Sequence, residues 1–145
     1  MQNTLTVVPK LSITERVALG KYDWSSKDIK DDVFPNNAAT IGKWKWKLAH
    51  INREIWSEEE AKPAVEVDGW SAAKTEHILT FGEMFPEEQR KYPIIALGST
   101  GRSLGTPHFL VLHEHERGRY RNLYLLDSLA GFNPEFRFLV VKKQL

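Results

Sequence analysis

Residues 41–48 read Ile-Gly-Lys-Trp-Lys-Trp-Lys-Leu, which is the clearest structural pattern in the chain. Apolar and basic residues alternate, and successive side chains of a β-strand point to opposite faces of its sheet. The apolar and the basic sets are Trp44, Trp46 and Leu48, and Lys43, Lys45 and Lys47. The alternation therefore predicts a half-buried strand over about residues 40–51, with its aromatic face towards a core.

Helix signals stand on both sides of this strand. Residues 12–15 and residues 57–60 each place a serine three positions before a glutamate, which is the spacing of a capping box. We expect the first helix to end at Gly20 and the second to be shortened or kinked by Pro63, whose ring meets the carbonyl four residues back. Ser71 predicts the cap of a third and longer helix with an apolar face.

Strand signals dominate the second half of the sequence. The predicted strands are residues 93–97, 109–113, 120–127 and 136–142. Between the first two, the glycines of residues 98–105 predict a flexible loop. This order of elements excludes a strictly alternating parallel α/β fold. We predict one α+β domain over residues 1–145, with two or three helices packed on a mostly antiparallel sheet.

Composition limits the classes of function that are open to the chain. Twenty lysines and arginines against nineteen aspartates and glutamates give a formal net charge of +1, far from the basic balance of a dedicated nucleic-acid-binding protein. The absence of cysteine excludes disulfides, thiolate catalysis and cysteine-based metal sites. Residues 1–10 lack the pattern of a signal peptide, and no apolar stretch reaches the roughly 20 residues that span a bilayer. We therefore expect a cytoplasmic protein without a membrane partner.

One arrangement of residues suggests hydrolysis. His108 directly precedes one predicted strand and Asp127 ends the next, and they look like the His and Asp of papain-like and ubiquitin-like-protein proteases. In that chemistry the imidazole takes a thiol proton and the carboxylate orients the imidazole, so the pair needs a nucleophile. Ala38 stands about where the cysteine would be, but a strand pattern follows it instead of a helix. A papain-like hydrolase or pseudoenzyme is thus an alternative, and structural roles for both residues are favoured.

Neither a metal nor a cofactor is predicted. The sequence His113-Glu-His115-Glu would place two imidazoles on one face of a strand, but two ligands do not close a zinc site. A solvated hairpin tip is the favoured interpretation of this sequence. Residues 98–105 follow a strand as a phosphate loop would, but they lack its Gly-Lys-Ser/Thr and no helix pattern follows.

Basic side chains offer further binding hypotheses. The stripe of Lys43, Lys45 and Lys47 could contact the phosphates of a nucleic acid, although alternating lysines also solvate a sheet face or protect an edge strand. Other candidates for contact with a ligand are Arg102, His113, His115, Arg117 and Arg119.

A non-enzymatic recognition module is the leading hypothesis, because no complete set of catalytic residues can be assembled. Its polar segments, residues 98–105, 114–119 and 128–133, would be loops carried on a rigid sheet, where binding function is common. The partner would be a protein or a small ligand, and the sequence does not identify it.

Four groups of residues spread over most of the chain form a specific combination. They are Gly20-Lys-Tyr-Asp-Trp24 with Phe34-Pro35, Pro86-Glu-Glu-Gln-Arg90, Pro93-Ile-Ile-Ala-Leu-Gly-Ser99, and Arg137-Phe-Leu-Val-Val-Lys142. The combination resembles a family of small bacterial proteins described only as hypothetical proteins. The chain departs from the family pattern at Trp70-Ser-Ala72, usually Arg-Pro-Ala, and at residues 128–133, which lack the usual tryptophan. The resemblance implies a strand at residues 40–51 and no catalytic residues.

The order of the predicted elements is also remotely similar to C-type-lectin-like and sulfatase-modifying-factor folds. Both have an early strand, two helices and a β-rich end. Such a similarity concerns the fold alone, since function does not transfer between proteins that share only architecture.

Overall fold

Eight strands form one mixed sheet in the computed structural model, which describes residues 3–144. They are β1 (Thr4–Val7), β2 (Trp24–Ser25), β3 (Gly42–His50), β4 (Ser71–Ala72), β5 (Ile94–Ser103), β6 (Thr106–His115), β7 (Tyr120–Asp127) and β8 (Arg137–Lys143). Their order across the sheet is β1-β3-β8-β5-β6-β7-β2, and β4 also pairs with β8. Neighbours are antiparallel except for the parallel pairs β5–β8 and β2–β7. The α+β class with a mostly antiparallel sheet is confirmed.

Three helices accompany the sheet in the described part of the chain: α1 (Ile13–Gly20), α2 (Glu58–Val65) and α3 (Thr75–Met84). The predicted capping box of α1 is present, because Ser12 Oγ accepts the Glu15 N–H at 3.0 Å and the Glu15 carboxylate accepts the Ser12 N–H at 2.9 Å. Ser57 Oγ caps α2, and Pro63 lies inside that helix, which ends two residues later. Within residues 3–144, none of the helices has the length and apolar character needed to cross a membrane.

The prediction that Ser71 caps the third helix is wrong. Ser71 lies in β4, where it pairs with Val141, and α3 begins only at Thr75. The helix is capped by its own third residue, since Nδ1 of His77 accepts the backbone N–H of Lys74 at 2.9 Å. Pairing with β8 already satisfies the backbone at Ser71, and a sheet hydrogen bond therefore replaces the expected cap.

The alternating pattern is confirmed as β3, and the two faces of this strand differ as predicted. Trp46 is 8% exposed and packs edge-on against Phe81 of α3, with 4.7 Å between the ring centroids. Lys43, Lys45 and Lys47 are exposed on the other face. The face of Trp46 is covered by α1 and α3, and α2 with the segment before β8 covers part of the opposite face.

Strand β8 lies in the middle of the sheet, although it follows every other strand in sequence. It pairs with nearly all of β3, with both residues of β4, and with Ile94 and Ile95 of β5. Its residues 138–141 are buried. The β1–β3 pair and the β5–β6–β7–β2 part of the sheet are therefore joined through β8.

The predicted flexible loop at residues 98–105 is mostly strand. β5 continues to Ser103, and the turn into β6 consists of Leu104 and Gly105, both with positive φ. A two-residue turn of this kind matches the twist of antiparallel strands. Gly98 is present for close packing, because a Cβ there would lie 2.5 Å from a carbonyl oxygen of β4. The glycines were mistaken for signs of flexibility.

A buried guanidinium joins the helices to the sheet. Arg121 of β7 is 5% exposed, and it donates to the carbonyl oxygens of Gly20 at 2.8 Å and Gly82 at 2.7 Å. The guanidinium also lies 4.8 Å from the ring centroid of Tyr22. Burial lowers the pKa of Arg121 and raises the pKa of the Tyr22 phenol. A positive charge thus stands near the C-terminal ends of α1 and α3, where the helix dipoles favour it.

His77 is a second buried titratable side chain, only 2% exposed. Burial, with smaller contributions from the positive charges of Lys74 and Lys143, lowers its pKa to about 3. The ring also packs edge-on against Trp44, with 4.4 Å between the centroids. His77 is therefore neutral at physiological pH and accepts a hydrogen bond rather than carrying a charge.

Candidate functional site

The lysines of β3 stand on an interior part of the sheet and not at its edge. On one side of β3, Lys43 lies opposite Thr6 of β1. On the other side, Lys45 lies opposite Lys142 of β8. Because β1 pairs with residues 42–45 of β3, protection of an edge strand does not account for Lys43 and Lys45.

Trp70, in the turn before β4, lies among these lysines. The Nζ atom of Lys47 is 4.7 Å from the Trp70 ring centroid, and the Nζ atom of Lys142 is 5.0 Å from it. The ring is partly exposed, and together with Lys45 it lines a shallow cavity of about 270 Å³. Cation–π contacts thus hold two ammonium groups beside an aromatic surface. We call Lys43, Lys45, Lys47, Lys142 and Trp70 the basic face.

Positive charge on the basic face is not compensated by ion pairs within residues 3–144. The pairs that this part of the chain forms lie elsewhere, for example Lys30 with Asp32 and Arg53 with Glu60. The whole chain has a formal charge of only +1, yet four positive charges share one surface of the sheet. Net charge therefore conceals a local concentration of charge that matters for binding anions.

A polar cleft of about 430 Å³ lies at the end of the sheet where β3 and β6 end and where β5 and β8 begin. His50 of β3 pairs with Arg137 of β8, which pairs in turn with Ile94 of β5. Ile94 pairs with Leu112 of β6, the neighbour of His113. The cleft is therefore three strand spacings wide, about 14 Å. We call this site the polar cleft.

Charged side chains of both signs line the polar cleft. The Arg137 guanidinium lies 4.3 Å from the ring centroid of Tyr92 and donates to the carbonyl oxygen of Glu135 at 2.8 Å. Lys91 supplies the second positive charge, and Glu114 and Glu135 supply two negative ones. Among the residues that the structure describes, no ion pair joins these two basic side chains to the two acidic ones.

The structure separates the five other predicted ligand-binding side chains. His113 lines the polar cleft. His115, Arg117 and Arg119 lie at or beside the hairpin tip between β6 and β7. Arg102 lies at the opposite end of the sheet, where it donates to the carbonyl oxygen of the turn glycine at 2.7 Å. These five residues therefore do not form one site.

The three predicted binding segments also lie apart. Residues 114–119 are at the end of the sheet that carries the polar cleft, whereas residues 98–105 run to the other end. Residues 128–133 start at that other end and lead back to Pro134, which lines the polar cleft. The last segment is held down by Phe132, which is buried and exchanges two backbone hydrogen bonds with Ile55, at 2.7 and 2.9 Å. The turn at residues 104–105 and the hairpin tip at residues 116–118 therefore lie at opposite ends of the sheet.

His108 and Asp127 are cross-strand neighbours on β6 and β7. Both side chains come within 3.5 Å of the Thr106 hydroxyl, and Nδ1 of His108 lies 2.9 Å from the Thr106 carbonyl oxygen. Ala38 lies in a one-turn 3-10 helix that leads into β3. Two cavities are lined by Ala38, and neither includes His108 or Asp127. Neither of these cavities brings Ala38 together with His108 and Asp127.

The two histidines that suggested a metal site make aromatic contacts. The ring of His113 lies edge-on to Tyr124 at 5.5 Å, and the ring of His115 lies 6.4 Å from Tyr120. Within residues 3–144, no group of three His, Asp or Glu side chains is placed to hold a metal ion. These contacts give both rings a packing role on the hairpin.

Both sites contain residues that sequence reasoning missed, because those residues come from distant segments. Lys142 and Trp70 join the lysine stripe through the pairing of β3 with β8 and the turn before β4. Arg137 and Tyr92 line the same cleft as His113 because four strand ends meet there. The sequence did contain one signal for these residues, because the basic residues Arg137 and Lys142 flank the apolar residues of the predicted terminal strand. The register of β8 against its neighbours was needed to assign each of them to a site.

No family model, curated protein or solved structure matches the chain. The resemblances to a bacterial family and to C-type-lectin-like folds therefore remain predictions. Function has to be argued from the basic face and the polar cleft.

Proposed function

We propose that the chain is a non-enzymatic recognition module that binds single-stranded nucleic acid on the basic face. The observation that carries the proposal is the grouping of four lysines on one face of the sheet, two of them within 5.0 Å of the ring of a partly exposed tryptophan. This proposal combines the two binding hypotheses drawn from the sequence, namely a non-enzymatic recognition module and contact of the lysine stripe with the phosphates of a nucleic acid. It requires no catalytic residues.

The lysines are suited to a regular polyanion. Alternate residues on one face of a strand are roughly 6.6 to 7 Å apart, so Lys43, Lys45 and Lys47 present ammonium groups in a row. Lys142 lies beside the middle of that row. Neutralising phosphates with these side chains releases condensed counterions, which makes the affinity fall with salt concentration.

Trp70 favours a single strand over a duplex. In a duplex the bases are stacked on one another, whereas an unpaired base can stack on an aromatic side chain. Lys47 and Lys142 lie close enough to the Trp70 ring to contact the phosphates that flank such a base. The neighbouring Thr4 and Thr6 hydroxyls of β1 add uncharged hydrogen-bonding groups to the same surface.

The test is fluorescence anisotropy with a labelled oligouridylate of about 16 nucleotides, a matching oligothymidylate and a duplex of equal length. Four lysine–phosphate contacts predict a slope of about −3 in a plot of log affinity against log salt for a single strand. The triple variant Lys43→Gln, Lys45→Gln, Lys47→Gln should bind more weakly and reduce the size of that slope by about 2. Trp70→Ala should weaken single strands more than the duplex.

The matched control is the variant Lys10→Gln, Lys27→Gln, Lys30→Gln. It removes the same formal charge from lysines that are also exposed but lie outside the basic face. Equal loss of affinity in both triple variants would show that only the overall charge matters. That result, a flat salt response or no binding at low salt would each overturn the proposal.

A further inference from the structure

The polar cleft holds charges of opposite sign that do not neutralise each other. Arg137 is held in place by its contact with Tyr92, and Glu114 is held by the N–H of Gly118, which its carboxylate accepts at 2.6 Å. Arg137 lies on β8 and Glu114 on β6, with β5 between them. The two backbones are therefore two strand spacings apart, about 10 Å.

Two more charged side chains line the polar cleft. Lys91 lines the cleft, and its Nζ is 3.1 Å from a carboxylate oxygen of Glu88 outside the cleft lining. Glu135 precedes β8, and its backbone rather than its carboxylate contacts Arg137. The lining thus carries two positive and two negative formal charges, of which Arg137 on β8 and Glu114 on β6 are separated by β5.

We propose that the polar cleft binds a linear zwitterion, an ω-amino acid or a short peptide, whose ammonium and carboxylate groups are several bonds apart. An anion alone would meet Glu114 and Glu135, and a cation alone would meet Lys91 and Arg137. A neutral molecule would desolvate charges of both signs without replacing their water. A molecule with a negative charge at one end and a positive charge at the other can pair with the basic and the acidic side chains of the cleft at the same time.

The polarity of binding follows from the positions of the fixed groups. The ligand carboxylate lies towards Arg137, whose planar guanidinium pairs well with carboxylates. The ligand ammonium lies towards Glu114 on the other side of β5. His50 and His113 flank the two ends, and Nε2 of His50 is already within 2.8 Å of the Pro134 carbonyl oxygen. The volume of about 430 Å³ is within the range of small-molecule sites.

The test uses three probes of almost equal length: ε-aminocaproate, caproate and hexylamine. Titration calorimetry and backbone amide NMR at neutral pH should detect binding of ε-aminocaproate, with shifts confined to the polar cleft. Caproate and hexylamine, which each lack one charge, should bind at least about tenfold more weakly. This comparison uses the unaltered protein and does not depend on how a variant folds.

Two substitutions then test the direction of binding. Glu114→Gln removes a charge but leaves an oxygen that can accept the Gly118 N–H, and it should abolish the preference of ε-aminocaproate over caproate. Arg137→Gln should abolish the preference over hexylamine. Glu116→Gln, at the exposed hairpin tip, is the matched control and should behave as the wild type.

Equal binding of the three probes, or binding of none of them, would overturn this proposal. So would loss of the preference in the Glu116→Gln control. The outcome is independent of nucleic-acid binding, because the triple lysine variant of the basic face should bind ε-aminocaproate normally.

Discussion

The protein should lose stability on mild acidification, and His77→Gln should remove about 2 kcal/mol of that loss between pH 8 and pH 5. The folded-state pKa of His77 is about 3, against an ordinary value of 6.5. Below pH 6.5 the unfolded chain therefore binds a proton at this residue that the folded chain does not bind. The contribution of neutral His77 to the free energy of unfolding is fully present above pH 6.5 and is lost as the pH falls towards 3.

The size of this loss of stability follows from the interval between the ordinary pKa of histidine and the pH of the measurement. At pH 5 the unfolded imidazole is almost fully protonated and the folded one is neutral, which costs about 2 kcal/mol relative to pH 8. Glutamine at the third position of a helix can accept the N-cap backbone N–H, as Nδ1 of His77 accepts that of Lys74. The His77→Gln variant thus keeps the hydrogen bond that caps α3 but has no side chain at this position that binds a proton between pH 8 and pH 5.

Urea unfolding, followed by tryptophan fluorescence between pH 8 and pH 5, measures this difference. The free energy of unfolding of the wild type should fall by about 2 kcal/mol more than that of His77→Gln over this interval. His115→Gln is the control, because it also replaces an imidazole with an amide but at an exposed position at the end of β6. If His77→Gln and the wild type lose the same stability, His77 is not buried in its neutral form and the reasoning is refuted.

Three further substitutions test the packing. Arg121→Met should lower the free energy of unfolding by about 3 kcal/mol or more, because two carbonyl oxygens at the helix ends lose a buried charged donor. Chemical denaturation measures this loss, and the exposed substitution Arg119→Met is the control. Gly98→Ala should destabilise by about 2 kcal/mol because its Cβ would meet a backbone oxygen at 2.5 Å, and an unchanged melting temperature would contradict the close approach. Ser12→Ala should cost about 1 kcal/mol by thermal denaturation through loss of the α1 cap, and a neutral effect would show that the cap adds no stability.

Local pattern was enough to predict the elements whose signal lies within the element itself. The alternation over β3, the capping box of α1 and the serine cap of α2 each depend on residues that are neighbours in sequence. β2 and β4 have two residues each and were missed, because such short strands exist only through their partners. Ser71 has a good cap residue type, but pairing with β8 outweighed that local preference.

The candidate sites show the same division between local and distant information. The lysine stripe was predicted because one strand carries it, whereas Lys142 and Trp70 required the register of β8 against β3. His113 was a predicted ligand-binding residue, but its neighbours in the cleft come from β3, β5 and β8. Residues 98–105 were expected to be mobile, because the sequence does not distinguish a glycine that close packing requires from a glycine that makes a loop flexible.

The central position of β8 has a consequence for how the chain folds. The β5–β6–β7 hairpins are local in sequence and can form before residues 137–143 are available. The β1–β3 pair is also complete early, but it has no hydrogen-bonded neighbour on its inner side until β8 arrives. Joining the two parts requires closure of a long loop between β3 and β8, which is slow compared with the formation of hairpins. Until then the inner edge of β3 is an unpaired strand edge, and the newly made chain is most exposed to wrong pairing during this interval.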